Sequence, residues 1–279
     1  MRSYYQRLSA ILFLSFLFTS FSACIDVPFS NPDGLIVILK ADDLGEMTPN
    51  WSRFMKIVED DTICAGIGVI SKNVKTEAAR QNIRLTSTLK QPNNFPVIEF
   101  WNHGFDHSSF KGSTEFGGTG NVEQLNHMHL AQKFFTDTLK LTSHCFGAPF
   151  NRTTNVTHAV IDSFPEINVW QCYQRHEHQN NPMWKDPNKS IINPEDQHIL
   201  LDIDYVFYHI FPVNDIIKNF DRDNVKPYVV IQIHPAVWHN KNFADFEKLI
   251  HFYKYNHRAT FMTPTQYYNH LHKINMAVL

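Results

Sequence analysis

Short apolar runs alternate with longer stretches of helical periodicity along this chain of 279 residues. The short runs have the length of strands and are rich in branched and aromatic residues. We predict strands at Leu35–Lys40, Ala65–Ser71, Val97–Trp101, Cys145–Ala148, Asn168–Cys172, Ile199–Asp204, Val229–His234 and Ala259–Met262. We predict helices at Asn50–Glu59, Val74–Leu89, Val122–Leu141, Thr157–Phe164, Asp245–His257 and Thr265–Leu271. Strands that alternate with helices favour a parallel sheet covered by helices, as in α/β proteins.

The number of strands suggests a single (β/α) barrel of seven to eight parallel strands, and active sites in such barrels lie at the C-terminal strand ends. A chain with 43% hydrophobic residues can fill one such barrel. The sequence contains no internal repeat and no domain linker, and the polar stretch at residues 174–197 indicates a long loop. We therefore predict one barrel domain over residues 35–279, preceded by a short linker at residues 24–34.

The first 23 residues have the pattern of an export signal. Arg2 and Arg7 precede an apolar core at residues 10–18 that is too short to span a membrane well. Small residues before Cys24 resemble a bacterial lipoprotein signal, in which the cysteine is acylated and anchors the protein to the membrane. The alternative is ordinary cleavage near Ala23 and release as a periplasmic or secreted protein. In both cases we expect an exported protein, and in the first case one that is lipid-anchored in the cell envelope.

Two histidines, His103 and His107, lie four residues apart, and two carboxylates, Asp42 and Asp43, follow the first predicted strand. On a helical turn, positions i and i+4 are about 6 Å apart and can share one metal ion. On a strand they would be about 13 Å apart and could not. We therefore expect the pair to straddle the end of a strand and the first turn after it. Three protein ligands with an open fourth position are typical of a catalytic zinc site.

A plainer interpretation is that these are two of 16 histidines beside a solvated acidic turn. The neighbouring segments favour the metal site. The apolar runs Leu35–Leu39 and Val97–Trp101 precede the carboxylates and the first histidine, with no more than two residues between. Because the ends of neighbouring parallel strands meet at one edge of a sheet, the four side chains should meet there.

Two further motifs complete a resemblance to a known family. Phe146-Gly147-Ala148-Pro149-Phe150-Asn151 and Ile231-Gln232-Ile233-His234-Pro235 follow the first two motifs in chain order. Together the four resemble the polysaccharide deacetylases of carbohydrate esterase family four (CE4). The usual order there is T-F-D-D-G, H-x-x-x-H, R-x-P-Y and a strand ending in L-x-H. The resemblance runs from about residue 35 to the C-terminus.

The resemblance implies a distorted or incomplete (β/α) barrel and a metal-dependent hydrolase. Such enzymes remove N-acetyl groups from carbohydrates by attack of a metal-activated water molecule. The implied metal ligands are Asp43, His103 and His107. A divalent metal is implied, with Zn²⁺ as the first expectation. The implied catalytic groups are Asp42 as general base, the backbone N–H of Phe150 as oxyanion donor and His234 as general acid.

The composition adds expectations about partners. The net charge is −2 without a long basic run, which argues against nucleic acid. The 23 Phe, 10 Tyr and 5 Trp residues mostly belong to the core, but a few at the mouth of the site would suit stacking on a sugar. Our candidate carbohydrate contacts are Trp101, Asn151 and Trp238.

The main departure from the family pattern is Gly147, which stands where the family has an arginine that pairs with the base aspartate. Lys40 or Arg152 could supply the missing charge. Otherwise catalysis could be slow or absent, or the substrate could differ from chitin-like polymers.

Two local details are also predicted. Adjacent strand residues point to opposite faces, so Asp42 and Asp43 can serve one site only if the chain bends, and Leu44-Gly45 could supply the bend. Asp202 or Asp204, on a strand close before His234 in the sequence, could orient the imidazole of that histidine.

Three functions compete on this sequence. The first is the deacetylase, and the second is a non-catalytic, carbohydrate-binding lipoprotein with the same fold. The third is a glycoside hydrolase, whose two carboxylates must lie about 5–9.5 Å apart across the scissile bond. Neighbours such as Asp42 and Asp43 do not meet that requirement, and the histidine pair would have no role. We therefore rank the third function last.

Overall fold

The computed structural model describes residues 34–91, 94–173, 198–208, 212–221 and 227–278, with the backbone alone beyond residue 273. The predicted signal peptide, the acylated Cys24 and the loop at residues 174–197 lie outside these residues. Among the residues that are described, no helix has both the length and the apolar character needed to cross a membrane.

Strands and helices follow one another along the chain as the periodicity predicts. The strands are β1 (Ile36–Leu44), β2 (Ala65–Val69), β3 (Ile98–Asn102), β4 (Ser109–Phe110), β5 (Ser113–Thr114), β6 (Cys145–Phe146), β7 (Val169–Cys172), β8 (Ile199–Asp202), β9 (Tyr205–Phe207), β10 (Tyr228–Ile233) and β11 (Thr260–Phe261). The helices are α1 (Pro49–Asp60), α2 (Glu77–Ser87), α3 (Asn121–Lys133), α4 (Asn155–Asp162), α5 (Val213–Asn219), α6 (Asn240–His251) and α7 (Pro264–Val278). Each predicted strand and helix is found, with shifted ends. The structure adds β9, α5 and the small hairpin of β4 and β5, which are too short to produce a clear periodicity.

The main sheet is parallel throughout, in the order β8-β7-β6-β3-β2-β1-β10-β9, and β11 pairs with the start of β1. The two edge strands, β8 and β9, are successive segments of one stretch of chain. The N–H of Ile203 donates to the carbonyl of Cys172 at 3.1 Å, and the N–H of Asp204 donates to that of Val230 at 3.0 Å. This stretch therefore joins the two edges of the sheet. The predicted (β/α) barrel is confirmed, in a distorted form.

The barrel interior changes from apolar to polar along the strands. Alternate residues of one strand face the same side. On β1 the inward positions are Ile36, Ile38, Lys40 and Asp42. On β10, which pairs with β1 in parallel register, they are Tyr228, Val230 and Gln232, and His234 follows directly after the strand. The apolar residues come first on both strands, so the polar groups collect at the C-terminal strand ends.

The outward faces of the strands bury an apolar layer beneath the helices. Val37 and Leu39 belong to one cluster with Phe54 of α1 and Phe246 of α6. Helix α1 begins at a side-chain cap, because the hydroxyl of Thr48 accepts a hydrogen bond from the N–H of Trp51 at 3.4 Å. This packing holds β1 in place. It therefore also holds Asp43, which follows the last inward residue of the strand, Asp42.

Candidate metal centre

Asp42 and Asp43 face one site because the backbone turns at Asp43. The register between β1 and β2 shifts between Ala41 and Leu44, and Asp43 has a φ of 74°. Aspartate is one of the few non-glycine residues that adopt this left-handed conformation with some frequency. The prediction that Leu44-Gly45 supplies the bend is therefore wrong, since the bend lies at Asp43.

The two histidines converge on the same carboxylate. His103 follows the last residue of β3, and His107 lies in the next loop with a φ of 56°. The Nε2 atoms of both lie 3.1 Å from Oδ1 of Asp43. The Nδ1 of His103 donates to the carbonyl of Gly147 at 2.7 Å, which directs its Nε2 toward the carboxylate. The prediction that the pair straddles a strand end and the next turn is confirmed.

The donor set fits a divalent metal. Asp43, His103 and His107 each offer one ligand atom, and these atoms lie within 4.8 Å of one another. Two imidazole nitrogens and one carboxylate oxygen are typical ligands of catalytic Zn²⁺. The hydrogen bond from the second ring nitrogen of His103 to a carbonyl is the outer contact that metal-bound histidines usually make.

Two of these groups, Asp43 and His103, have shifted pKa values. Burial alone would raise the pKa of Asp43, but hydrogen bonds and charges from His103 and His107 hold it well below its usual range. Burial alone would lower the pKa of His103, but the charges of Asp42 and Asp43 and the hydrogen bond to Asp43 raise it. Below that raised pKa, a cation that binds here displaces a proton from His103.

Asp42 lies beside the metal ligands and is 1% exposed. Its Oδ2 accepts a hydrogen bond from the ammonium of Lys40, which is fully buried, and lies 3.7 Å from Nε2 of His103. Its Oδ1 is buried and has no hydrogen-bond partner among the described residues. Arg152 instead donates to the carbonyl of Gly112 at 3.3 Å. Of the two residues predicted to replace the arginine, Lys40 is therefore the one that contacts Asp42.

His234 follows β10 and faces the same centre. Its Nε2 lies 3.9 Å from Oδ2 of Asp43 and 3.4 Å from Nε2 of Gln232. Its Nδ1 donates to the carbonyl of Phe207 at 2.9 Å. Burial lowers the pKa of His234, although the charges of Asp42 and Asp43 oppose this.

The hydrogen bond that orients His234 comes from the backbone. We predicted that Asp202 or Asp204 would orient this ring, but the carbonyl of Phe207 makes the contact at Nδ1. The carboxylate of Asp204 accepts a hydrogen bond from the N–H of Val230 at 2.8 Å. The prediction is corrected accordingly.

The predicted oxyanion donor lies in a tight turn beside His107. Phe150 and Asn151 have φ values of 60° and 53°. The N–H groups that close the turn belong to Asn151 and Arg152, so the turn does not use the N–H of Phe150. The ring of Phe150 is 41% exposed, and its centroid lies 4.2 Å from that of His107.

Two of the three candidate carbohydrate contacts are core residues. Trp101 is fully buried inside the barrel, and Trp238 is 3% exposed and packs against Phe54 and Phe246. Neither can stack on a ligand at the mouth of the site, which corrects the prediction for both. Asn151 lies beside the site, and its role in binding stays a prediction.

A half-exposed aromatic residue at the site was missed. Tyr208 is 47% exposed and stacks on the ring of His234 with a centroid distance of 3.9 Å. No sequence pattern indicates Tyr208, because it follows the three-residue strand β9. Together with Phe150, it gives the mouth of the site two exposed aromatic rings, one beside each of two site histidines.

Glu115 was also missed, and it holds the loop that carries His107. This fully buried carboxylate accepts hydrogen bonds from three consecutive backbone N–H groups, those of Phe105 (2.5 Å), Asp106 (3.3 Å) and His107 (2.8 Å). It also lies 3.2 Å from Nδ1 of His127. The position of the second histidine ligand therefore depends on Glu115.

The close approach of Glu115 requires a glycine. Gly104 has a φ of 79°, and a Cβ there would lie 2.6 Å from Oε2 of Glu115. On the other side of the loop, the carbonyls of Gly104 and Phe105 accept hydrogen bonds from the N–H groups of Ser71 (3.3 Å) and Lys72 (2.7 Å). The loop is thus held through both its N–H and its carbonyl groups.

A second cluster, formed by Asp106, Glu115 and His127, also brings together metal-ligating side chains. Both oxygens of Glu115 accept backbone N–H groups, as described above. The carboxylate of Asp106 accepts hydrogen bonds from the N–H of Ser108 at 3.0 Å and from Nζ of Lys72 at 3.3 Å. Because the carboxylate oxygens of Glu115 and Asp106 already accept hydrogen bonds, this cluster is better explained as a set of contacts that holds the loop than as a metal site.

Comparisons with known proteins identify the fold. No protein-family model matches the sequence, and the search of curated proteins finds no significant relative.

Among solved structures, 47 chains match. They include a peptidoglycan deacetylase from Bacillus subtilis, with 10% identity, coverage of 88% of this chain and 94% of that chain, and a TM-score of 0.54. A family 4 acetyl xylan esterase from Clostridium thermocellum, in complex with a cobalt ion, has 14% identity, coverages of 84% and 90%, and a TM-score of 0.53. A CE4 family pseudoenzyme from Bacillus anthracis has 10% identity, coverages of 83% and 64%, and a TM-score of 0.53. These likenesses confirm the polysaccharide deacetylase fold predicted from the motifs.

Replacing Glu115 should weaken metal binding. In Glu115→Gln, an amide N–H₂ replaces one of the oxygens that accept the backbone N–H groups of the loop, so His107 loses its fixed position. We expect the dissociation constant for Zn²⁺ to rise about 10–100-fold, the usual effect of losing an outer contact of a metal ligand. Competition with a chromophoric chelator measures it. Glu123→Gln, at an exposed glutamate of α3, is the control and should bind as the wild type does. Equal affinity in both variants would contradict the role of Glu115.

Metal affinity should rise with pH. His103 has a raised pKa, so in the metal-free protein it stays protonated to a pH above the usual histidine value of about 6.5. Metal binding therefore releases this proton below the raised pKa, and the affinity should level off above it. Calorimetric titration at pH 6.5 in two buffers with different ionisation enthalpies measures the protons released. Zero release at this pH would show that His103 is already neutral.

Proposed function

We propose that the protein is a metal-dependent hydrolase that removes N-acetyl groups from a carbohydrate. The observation that carries the proposal is the convergence of three metal-ligand atoms beside a second, buried carboxylate with an unused oxygen. The ligand residues are Asp43, His103 and His107. The carboxylate is Asp42, and the polysaccharide deacetylase fold supports the same reaction class.

Asp43, His103 and His107 would hold a divalent metal, first of all Zn²⁺. When bound, such an ion polarises the acyl carbonyl and lowers the pKa of a water molecule toward about 7. The acetyl xylan esterase of similar fold was solved in complex with a cobalt ion, which supports a divalent metal in the proposal.

Asp42 acts as the general base in this proposal. Its Oδ2 is held by Lys40, and its Oδ1 takes a proton from the attacking water molecule. As the water oxygen bonds to the acyl carbon, negative charge develops on the acyl oxygen. The N–H of Phe150, which its own turn does not use, donates to that oxygen.

His234 acts as the general acid. Its Nδ1 is held by the carbonyl of Phe207, so its Nε2 faces the centre on the side of Asp43. From there it gives a proton to the departing amine nitrogen as the carbon–nitrogen bond breaks.

The carbohydrate would lie against the exposed rings of Phe150 and Tyr208. These rings flank His107 and His234, and flat aromatic surfaces suit the apolar C–H faces of a sugar. Asn151 remains a candidate hydrogen-bonding contact. The proposal also includes export to the cell envelope and a lipid anchor at Cys24, both supported by the N-terminal sequence alone.

A second candidate is a carbohydrate-binding protein without catalysis. The glycine at position 147, in place of an arginine, and the likeness to a CE4 family pseudoenzyme favour it. The complete ligand set and the paired Asp42 favour turnover. The two functions differ in one measurable outcome, which is whether acetate is released.

The test measures metal content together with acetate release from a panel of N-acetylated glycans. We expect chelation to abolish release and Zn²⁺ or Co²⁺ to restore it. Asp43→Ala should lose the metal, because it removes a ligand. Asp42→Asn should keep the metal and lower kcat about 10²–10⁴-fold, because it removes only the base. Glycan binding without acetate release in the metal-loaded wild type would establish the second candidate, and equal metal loss in both variants would refute the division of roles.

His234→Ala should keep its metal and its KM while kcat falls about 10²-fold or more. The loss should be smaller on an activated acetate ester, whose leaving group needs little protonation. Burial lowers the pKa of His234, so its proton is present only at lower pH. The rate should therefore fall as pH rises past a value at or below the usual histidine pKa of about 6.5, and the variant should lack this fall. Equal losses on amide and ester would indicate a structural role.

A further inference from the structure

Lys40 occupies a position where an unpaired charge would be costly. It is fully buried and follows Ile36 and Ile38 on the inward face of β1. Burying an ammonium is unfavourable unless an opposite charge and hydrogen bonds compensate it. The compensating group is Asp42, two residues later on the same face, whose Oδ2 accepts from Nζ of Lys40.

An indole ring confines the ammonium from another side. Nζ of Lys40 lies 5.1 Å from the ring centroid of Trp101, within the range of a cation–π contact. Trp101 is fully buried and packs edge-on against His103, with a centroid distance of 5.3 Å. Lys40 is therefore held between the carboxylate of Asp42 and the face of the indole.

The volume that Lys40 and Trp101 fill is available because Gly147 has no side chain. A Cβ at position 147 would lie 2.9 Å from Cζ3 of Trp101 and 3.2 Å from Cε of Lys40. On the other side of β3, a Cβ at Gly68 would lie 2.5 Å from Cη2 of Trp101. A large side chain at position 147 is therefore incompatible with Trp101 and Lys40 as they are placed.

We infer that Lys40 is the positioning residue of the general base. It holds Oδ2 of Asp42 and leaves Oδ1 to accept the proton from water. Compared with the family pattern, Gly147 then stands in place of the arginine, and Lys40 of β1 supplies the cation. Trp101 fills the volume that the glycine leaves free. This inference rests on the proposed function, in which Asp42 is the base, and Lys40 acts through Asp42 without touching substrate.

The pairing is tested first in the metal-free protein, where turnover plays no part. Thermal unfolding is measured for Lys40→Met, Asp42→Asn and the double variant. Each single variant leaves a buried group without its partner and should lower Tm, and the double variant should lower it by less than the two effects combined. The control is the same cycle at the exposed pair Lys56 and Asp60, where the effects should add. Additive effects at Lys40 and Asp42 would overturn the inference.

The positioning role is tested by turnover. Lys40→Met should bind Zn²⁺ with an affinity within about threefold of wild type, since Asp42 is not a ligand, and should keep its KM. Its kcat should fall about 10²-fold, because the base loses its fixed orientation. Ile38→Val, one inward position below, is the packing control and should lower Tm but leave kcat within about threefold.

The outcomes separate this inference from the function on which it rests. Wild-type kcat in Lys40→Met would overturn the positioning role. If the metal-loaded wild type releases no acetate from any glycan while the two residues are coupled in metal-free unfolding, the proposed function fails and the pairing stands. Loss of both metal and turnover in Lys40→Met would mean that Lys40 supports the ligands instead, which also contradicts the inference.

Discussion

The candidate metal centre depends on one backbone conformation, the left-handed turn at Asp43. In a regular strand, neighbouring side chains point to opposite faces, so Asp42 would face the barrel interior and Asp43 the helices. The φ of 74° at Asp43 and the register shift before Leu44 turn the second carboxylate toward the histidines. Such a conformation costs about 1–3 kcal/mol and persists only where its surroundings hold it. Here β1 is paired with β10 from Ile36 to Ala41, with β2 from Lys40 to Leu44 and with β11 at its start, which supplies that support.

Charge compensation is the second requirement of this site. The polar ends of the strands lie on an apolar interior, and each buried charge there has a partner of opposite sign or a set of N–H donors. Asp42 has Lys40, Asp43 has the two ligand histidines, and Glu115 has three backbone N–H groups. Because a buried charge without its partner is strongly destabilising, these contacts restrict the positions of the side chains that carry the chemistry. A divalent cation would take the place of the proton that His103 otherwise keeps.

The parts of the structure that could be predicted are those with a local pattern. Strands and helices are visible as periodicities, and the polar residues that follow two apolar runs predict where the strand ends meet. The spacing of His103 and His107 admits one chain geometry for a shared ion, which the structure contains. The sequence favours a bend at Leu44-Gly45, because glycine is the usual residue with unusual backbone angles. The structure bends at Asp43 instead, and the pairing of β1 with its neighbouring strands holds that conformation.

The parts that could not be predicted depend on contacts between distant or irregular segments. Glu115 lies in a loop without periodicity, and its function follows only from the N–H groups around it. Trp101 and Trp238 show that the sequence alone does not predict whether an aromatic residue near a motif belongs to the core or to the mouth of the site. Burial decides between the two, and the burial of Trp101 depends on glycines in the neighbouring segments of the barrel.

Under the proposed function, Gly147 is an example of a motif that changes while its physical requirement is still met. The requirement is a cation beside Asp42 and a filled interior layer, and neither is tied to one position in the sequence. Lys40 and the residue at 147 lie close together inside the barrel, although they are far apart along the chain. A cation can therefore move from one strand to another if the volumes of the side chains between them change as well, which is the part that Trp101 plays. In the sequence motif alone, only the absence of the arginine is visible. In the folded barrel, Lys40 supplies the charge and Trp101 fills the volume.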